Sequence, residues 1–287
     1  MSQNALEKAW SDHSQLWNQN IWVYPVISRR AGGISIGINL NLDKRCTFRC
    51  AYCQVDRSVP GPQIPNDIVR IRQELEQIFK SYEENGLENF TPFQGVDKDK
   101  RLIRDICLSG DGESTMAKEF PDVCRLMREA QDKFSQYPLK LTLITNATLL
   151  DRPDVRKGLR VLTEKRGEIW AKLDAGSDDW YEKIDGSHIA LERIQKNIEG
   201  AVREFPLRIQ TMLCKIGDSR PDAKELDLYT ERLKRIHAVN PKNFLGVQLY
   251  GVVRHTASRS VHPLEREFFE AAAMKIRKAI PVEVDIY

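Results

Sequence analysis

The chain has 287 residues, of which 41% are hydrophobic and 30% are charged, a composition typical of a globular protein with a substantial core. This composition excludes disordered, collagen-like and coiled-coil proteins, and no apolar run approaches the roughly 18 residues of a membrane helix. Lysine and arginine number 44 against 41 aspartate and glutamate. The net charge of +3 does not by itself indicate nucleic-acid binding, although nucleic acid stays a possible partner. Glu7 and Asp12 interrupt the stretch where a signal peptide needs apolar residues, so we expect a cytoplasmic protein that does not act at a membrane.

Strand-like and helix-like segments alternate along the chain. Strands are predicted at 34–42, 104–110, 139–146, 169–175, 207–215 and 245–252. Helical periodicity is found at 66–85, 117–134, 151–166, 188–205, 222–239 and 263–280. Strands separated by helices pair in parallel through right-handed crossovers, so the sequence predicts an α/β protein wound into a barrel or partial barrel.

The predicted organisation is a single barrel with two flanking segments. Residues 1–33 are expected to form a helical N-terminal extension, 34–262 the core, and 263–287 a C-terminal helix and strand. No linker that would separate two independent domains is found between them.

The predicted strands alternate between apolar and polar residues, and in 34–42 every second residue is isoleucine or leucine. If the apolar residues pack on the helices, the polar residues line the lumen, as suits a polar ligand. The alternation predicts a substrate wall formed by Gln210, Gln248 and Tyr250. Arg254, after the sixth strand, is a further candidate for binding phosphate or carboxylate. The alternatives are edge strands with one solvated face and a solvated basic loop around Arg254.

Three of the six cysteines, Cys46, Cys50 and Cys53, lie just after the first predicted strand, where βα loops form the active face of a barrel. Structural zinc sites need four ligands, and this segment offers three, although folding could bring a histidine close. Three thiolates suit an iron–sulfur cluster that keeps one iron open for a ligand. The other interpretation is three unliganded structural cysteines, which have no reason to cluster on a polar loop.

The remaining cysteines, Cys107, Cys124 and Cys214, are scattered in or near predicted strands and a helix. Such thiols are more often core residues than ligands. Strand alternation nevertheless directs Cys107 and Cys214 toward the lumen.

The segment CTFRCAYC at 46–53 resembles the CxxxCxxC signature of the radical S-adenosylmethionine superfamily. Similar segments follow as LSGDGEST at 108–115, TNA at 145–147 and KLDAG at 172–176, so the resemblance covers about 34–253. Within the superfamily, the sequence is most similar to an iron–sulfur oxidoreductase group related to wyosine-forming tRNA enzymes.

The sequence departs from that group at several positions. Ser114 stands where proline is usual, and Ala147 replaces glycine. Residues 1–45 contain no cysteine, whereas wyosine-forming enzymes carry additional N-terminal cysteines for a second cluster. No cysteine follows Cys214, so a C-terminal auxiliary cluster is not expected either.

The resemblance implies a partial (β/α)6 barrel and a [4Fe–4S] cluster on Cys46, Cys50 and Cys53, whose open iron would chelate S-adenosyl-L-methionine. Two glycines would let the backbone approach the methionyl group, a carboxylate would accept a hydrogen bond from its amino group, and the remaining residues would contact adenine, ribose and carboxylate. The implied cofactor-binding residues are Tyr52 through its backbone, Gly110, Gly112, Glu113, Asn146, Lys172 and Asp174. The alternatives are a solvated turn residue for Glu113 and a simple ion pair for Lys172 with Asp174.

The resemblance also implies an activity. S-adenosyl-L-methionine would be cleaved reductively to methionine and a 5′-deoxyadenosyl radical, which would abstract hydrogen from an unidentified small-molecule or nucleotide substrate. The electron would come from a low-potential donor such as flavodoxin or ferredoxin. The sequence identifies no general acid or base. A tRNA-modifying radical enzyme and a non-catalytic iron–sulfur protein are the two alternatives.

Overall fold

The computed structural model describes residues 5–6, 8–9, 17–253 and 256–287. The strands of its main sheet are β1 (Val23–Ser28), β2 (Gly33–Ile38), β3 (Ile103–Leu108), β4 (Lys140–Thr145), β5 (Gly167–Lys172), β6 (Leu207–Met212), β8 (Phe244–Tyr250) and β10 (Glu283–Ile286). They lie in the order β1-β2-β3-β4-β5-β6-β8-β10. β1 is antiparallel to β2, and the other neighbours are parallel. A separate antiparallel ribbon joins β7 (Lys215–Ile216) to β9 (Val261–His262).

Helices connect most of the parallel strands. They are α1 (Ile68–Asn85), α2 (Phe120–Lys133), α3 (Pro153–Thr163), α4 (Asp178–Asp185), α5 (Leu191–Val202), α6 (Ala223–Val239) and α7 (Arg266–Ala279). Aspartate or serine side chains accept backbone N–H bonds at the starts of α1, α4 and α6, as N-caps do. Short 3₁₀ turns occur at Thr91–Phe93, Lys98–Arg101 and Ser114–Met116. None of the helices in the described ranges is long and apolar enough to cross a bilayer.

The predicted α/β class is confirmed, because each predicted strand and helix forms within a few residues of its expected limits. The alternating isoleucines Ile34, Ile36 and Ile38 are fully buried. Residues of the opposite parity, such as Ser35 and Cys107, line an internal cavity. The sheet therefore has an apolar face in the core and a polar face toward the cavity.

The helical character expected for residues 1–33 is wrong for β1. Its sequence VYPVIS is largely buried and pairs along its whole length with β2, from Val23 opposite Ile38 to Ser28 opposite Gly33. Pro25 removes one backbone donor, which an edge strand tolerates. The hairpin places residues 29–32 at the N-terminal ends of the parallel strands.

Helix α4 was not predicted from the sequence. Ser177 caps its first turn, and Gly186 ends it with a φ of 53°.

At the end of the barrel opposite the cysteine loop, ion pairs connect the starts of the strands. Nζ of Lys140 lies 2.8 Å from Glu168, and Nη1 of Arg208 lies 2.8 Å from Glu283.

Candidate active site

A cavity of about 470 Å³ lies within the barrel, a volume that fits small-ligand and cofactor sites. Its lining combines the loops after β2, β3 and β4 with inward-facing residues of the later strands. Among the residues predicted from the sequence, the lining includes Cys46, Cys50, Cys53, Tyr52, Gly110, Gly112, Glu113, Asn146, Lys172, Gln210 and Tyr250. Asp174 and Gln248 do not line the cavity, but each bonds to a residue that does.

The cysteine loop follows β2 and includes a turn in which the Cys53 N–H donates to the Cys50 carbonyl at 3.0 Å. Each sulfur contacts a different polar side chain. These contacts are Cys46 with Nδ2 of Asn146 at 3.6 Å, Cys50 with Oδ1 of Asp185 at 3.5 Å, and Cys53 with Nη2 of Arg57 at 3.6 Å. The loop is thus contacted by side chains from the turn after β4, from the end of α4 and from its own C-terminal continuation.

The thiols differ in electrostatic surroundings. Burial raises the pKa of Cys46, and the charge of Glu113 adds to this effect. Burial and then Asp185 raise the pKa of Cys50 well above its ordinary value. Metal binding at these thiols would therefore release protons.

Glu113 is 2% exposed and lies at the turn after β3. Its Oε1 accepts hydrogen bonds from Oγ1 of Thr115 at 2.6 Å and Oγ1 of Thr145 at 2.7 Å. Its Oε2 accepts the Asn146 backbone N–H at 2.7 Å. Burial raises the pKa of Glu113 even though these bonds oppose the increase. Glu113 is a buried anchor between β3 and β4, so the alternative of a solvated turn residue is wrong, and its role in cofactor binding stays a prediction.

The turn after β3 contains Gly110 and Gly112, and both lie against the segment that follows β2. A Cβ atom at Gly110 would overlap Oδ1 of Asn39 and lie 2.7 Å from the Asn39 Cβ. A Cβ atom at Gly112 would overlap the Arg45 carbonyl oxygen and lie 2.6 Å from the Asn41 Cβ. Glycine is thus needed at both positions for the chain to pack here. Both glycines also line the cavity, and their expected role beside a methionyl group stays a prediction.

Lys172 occupies the middle of a buried network on the cavity wall. Its Nζ donates to the hydroxyl oxygens of Tyr52 at 2.5 Å and Tyr250 at 2.8 Å, and lies 4.0 Å from Oδ2 of Asp174. The Tyr52 hydroxyl donates to the same Asp174 oxygen. A tyrosine hydroxyl therefore lies between the ammonium and the carboxylate, so Lys172 and Asp174 are more than a simple ion pair.

Neighbouring groups in this network shift the pKa values of Lys172 and Asp185. Burial lowers the pKa of Lys172, but Tyr250 and Asp174 outweigh that effect and raise it above its ordinary value. Asp185 lies beside Asp174, and burial together with that neighbouring charge raises its pKa well above the ordinary range. The Lys172 ammonium is thus a fixed positive charge at the cavity wall.

The structure adds functional candidates that sequence reasoning missed. Asp185 and Arg57 contact cysteine sulfurs, and Arg30 from the β1–β2 hairpin lines the cavity. Arg57 follows Cys53 by four residues, and this proximity was the available sequence signal. Asp185 and Arg30 lie far from the motif in sequence, and only the fold brings them to the cavity.

Several remaining predictions have different outcomes. Cys107 lines the cavity, whereas the expected lumen position of Cys214 is wrong because β6 ends at Met212. Cys124 is buried in α2. Arg254 lies outside the described residues. Across the described ranges, no three Cys, His, Asp or Glu side chains form a group that could hold one metal ion.

Comparison with solved structures defines the fold class. TYW1 with a lysine-pyruvate adduct bound is 14% identical with a TM-score of 0.60, covering 94% of this chain and 81% of TYW1. Streptococcus suis SuiB bound to S-adenosylmethionine is 13% identical with a TM-score of 0.53, covering 88% of this chain and 49% of SuiB. Likenesses at this identity show the fold alone, and they confirm the predicted partial (β/α)6 barrel of an α/β protein.

Comparison with curated proteins gives the family, although no family model matches the chain. A UPF0026 protein of Synechocystis sp. is 30% identical over 215 residues, which cover 72% of this chain and 69% of that protein. A UPF0026 protein of Methanocaldococcus jannaschii is 31% identical over 181 residues, covering 62% and 47%. The chain belongs to the UPF0026 family.

One further relative is much longer than the matched region. The GTPase Obg of Brachyspira hyodysenteriae is 24% identical over 269 residues, which cover 91% of this chain and 34% of that protein. The chain thus spans about a third of this relative, about two thirds of the Synechocystis protein and about half of the Methanocaldococcus protein.

Proposed function

We propose that this protein is a radical enzyme that binds a [4Fe–4S] cluster on Cys46, Cys50 and Cys53 and cleaves S-adenosyl-L-methionine reductively in the adjoining cavity. The supporting observation is that the three cysteines face the same cavity as Glu113 and Asn146. These residues come from three loops at the C-terminal ends of neighbouring strands, where ligands bind in parallel α/β folds.

The donor set fits an iron–sulfur cluster. Three thiols line one cavity and leave room for a ligand beside them, as a cluster with one open iron requires. Nε of Arg57 is buried with no hydrogen-bond acceptor among the described residues, although its Nη2 contacts Cys53. A bound sulfide or cofactor carboxylate could satisfy this donor. A cluster held here by Cys46, Cys50 and Cys53 would supply an electron to the sulfonium of bound S-adenosyl-L-methionine.

The residues around the cluster loop would each have a distinct task. Asn146 and Arg57 direct N–H groups at two of the sulfurs, and such bonds tune a metal site. Glu113 offers Oε2, which accepts one backbone N–H, to the amino group of the methionyl moiety. Lys172 offers its positive charge to a cofactor oxygen, with Asp174 and Tyr52 fixing its position.

The partners follow from the same proposal. A low-potential donor such as flavodoxin or ferredoxin would supply the electron, and the substrate would be a small molecule or nucleotide. Cytoplasmic location stays a prediction. GTP hydrolysis is not proposed from the similarity to Obg, because the chain contains no GxxxxGK[ST] segment.

The test uses protein purified without oxygen. Iron and sulfide analysis with electron paramagnetic resonance should detect a [4Fe–4S] cluster, and addition of dithionite and S-adenosyl-L-methionine should yield 5′-deoxyadenosine and methionine. A cluster without either product would make the protein a non-catalytic iron–sulfur protein. Salt-dependent binding of tRNA would favour the tRNA-modifying alternative.

A further inference from the structure

Arg30 projects into the cavity from the β1–β2 hairpin. Its guanidinium carbon lies 5.6 Å from the ring centroid of Trp170 and 5.3 Å from that of Tyr250. Within the described ranges, no carboxylate lies within ion-pair distance of Arg30, whereas Arg208 at the same end of the barrel pairs with Glu168 and Glu283. Arg30 is therefore a cation that packs on two aromatic rings and lines the cavity.

Gln210 provides a second, independent feature of the same cavity. Its side chain is fully buried and lines the cavity, and its Nε2 donates to Oε1 of Gln248 at 2.8 Å. Its Oε1 has no donor among the described residues. A buried acceptor without a donor is unfavourable, so this atom indicates a place for a ligand N–H or O–H group.

The two features lie on one wall. Gln210 on β6 is directly beside Lys172 on β5, which follows Trp170 by two residues, and beside Gln248 on β8. The Trp170 ring is fixed by a 2.6 Å hydrogen bond from its Nε1 to Glu168. The aromatic face under Arg30 is therefore rigid, and this rigidity pre-organises the cation above it.

We propose that Arg30 and Gln210 form a substrate subsite for a small molecule that carries a carboxylate or phosphate and an adjacent N–H or O–H donor. The inference rests on the proposed function only in taking this cavity as the place where substrate meets S-adenosyl-L-methionine. A guanidinium binds either oxyanion through two parallel hydrogen bonds. The cavity of about 470 Å³ has the size of a small-ligand site.

The test is a titration of the anaerobically purified protein, without reductant, with inorganic phosphate, acetate or glycolate. Trp170 fluorescence reports binding, and the same titration of Trp170→Phe supplies the background from the other tryptophans. We expect a saturable change, with at least tenfold weaker binding in Arg30→Gln. Arg29→Gln is the matched control, because Arg29 adjoins Arg30 but does not line the cavity. The affinity of Arg29→Gln for each probe should stay within twofold of the wild-type value.

The probes distinguish the oxyanions and the donor. Tighter binding of phosphate than of acetate would indicate a substrate that carries a phosphate group. Tighter binding of acetate would indicate a substrate that carries a carboxylate. Glycolate should bind more tightly than acetate through its hydroxyl, and Gln210→Met should abolish that difference. No saturable change with any probe, or wild-type affinity in Arg30→Gln, would overturn the subsite.

A second variant, Arg30→Lys, tests the proposal if Arg30→Gln does not fold. Arg30→Lys keeps the charge but lacks the planar fork, so at least fivefold weaker binding is expected, and unchanged affinity would contradict the proposal. Formation of 5′-deoxyadenosine is measured separately on the wild-type protein. Anion binding without cleavage of S-adenosyl-L-methionine would support the subsite and contradict the proposed enzymatic activity. Cleavage without anion binding would support the activity and contradict the subsite.

Discussion

Nδ2 of Asn146 lies 3.6 Å from Sγ of Cys46, although the two residues are 100 positions apart in the chain. The same Nδ2 donates to Oγ1 of Thr47 at 2.8 Å, and the backbone N–H of Asn146 is held by Glu113. The turn after β3, the end of β4 and the cysteine loop are therefore one connected unit. A change in any of these segments should affect the other two.

The first prediction concerns the cluster. Cys46→Ala, Cys50→Ala and Cys53→Ala, alone and combined, should each remove most of the iron and the cluster signal, because each removes one of three thiolate ligands. Cys124→Ala is the control, since this thiol is buried in α2 away from the cavity lining. Iron content and electron paramagnetic resonance provide the measurement. A full cluster in the triple variant would refute the assignment.

Local sequence pattern predicted much of this arrangement. Strand alternation predicted a wall of Gln210, Gln248 and Tyr250. Gln210 and Tyr250 line the cavity, whereas Gln248 does not line it but accepts a hydrogen bond from Gln210. Alternation failed at Cys214, because it holds only while the strand continues, and β6 ends two residues earlier. Motif spacing alone identified the cysteine loop and Glu113, but it gave no reason for their mutual contacts.

The missed residues share one cause. Arg30 reaches the cavity through a hairpin whose first strand contains a proline and was expected to be helical. Asp185 reaches Cys50 from the end of an eight-residue helix. Both positions depend on packing between segments distant in sequence, which no local periodicity records.

The second prediction concerns Glu113. Glu113→Ala should weaken S-adenosyl-L-methionine binding about ten- to a hundredfold, the equivalent of one charge-assisted hydrogen bond of about 1.5–3 kcal/mol. It should also lower the free energy of unfolding by about 2 kcal/mol, because buried donors of Thr115, Thr145 and Asn146 lose their acceptor.

Calorimetry with the cofactor and urea unfolding measure the two effects of Glu113→Ala separately. Glu129→Gln, at an exposed carboxylate of α2, should change neither quantity. Unchanged cofactor affinity in a Glu113→Ala protein with an intact cluster would exclude Glu113 from the binding site.

The third prediction concerns pH. Burial raises the pKa of Asp105 from 3.8 to about 6, although hydrogen bonds from Ser35 and Thr142 oppose the increase. The unfolded chain ionises this carboxyl first, so its contribution favours folding at acid pH and is lost as the pH rises through 6. Asp105→Asn removes this effect, so relative to wild type it should gain up to about 3 kcal/mol in going from pH 4 to pH 8.

Urea unfolding of Asp105→Asn and wild type across that pH range checks the prediction. Asp122→Asn, at an exposed position of α2, is the control for removal of a carboxylate. A stability difference between Asp105→Asn and wild type that does not change with pH would mean that Asp105 titrates normally in the folded protein.

The fourth prediction compares two glycines. At Gly112 an added Cβ would overlap the Arg45 carbonyl oxygen, whereas at Gly200 in helix α5 nothing lies within 4 Å of it. Gly112→Ala must therefore displace the cysteine loop, and it should lower both the melting temperature and the iron content. Gly200→Ala should instead stabilise the protein by about 0.5–1 kcal/mol, because alanine has the higher helix propensity. Thermal unfolding with iron analysis of both variants provides the measurement. Wild-type iron content and stability in Gly112→Ala would mean that the cysteine loop does not need the close approach at Gly112.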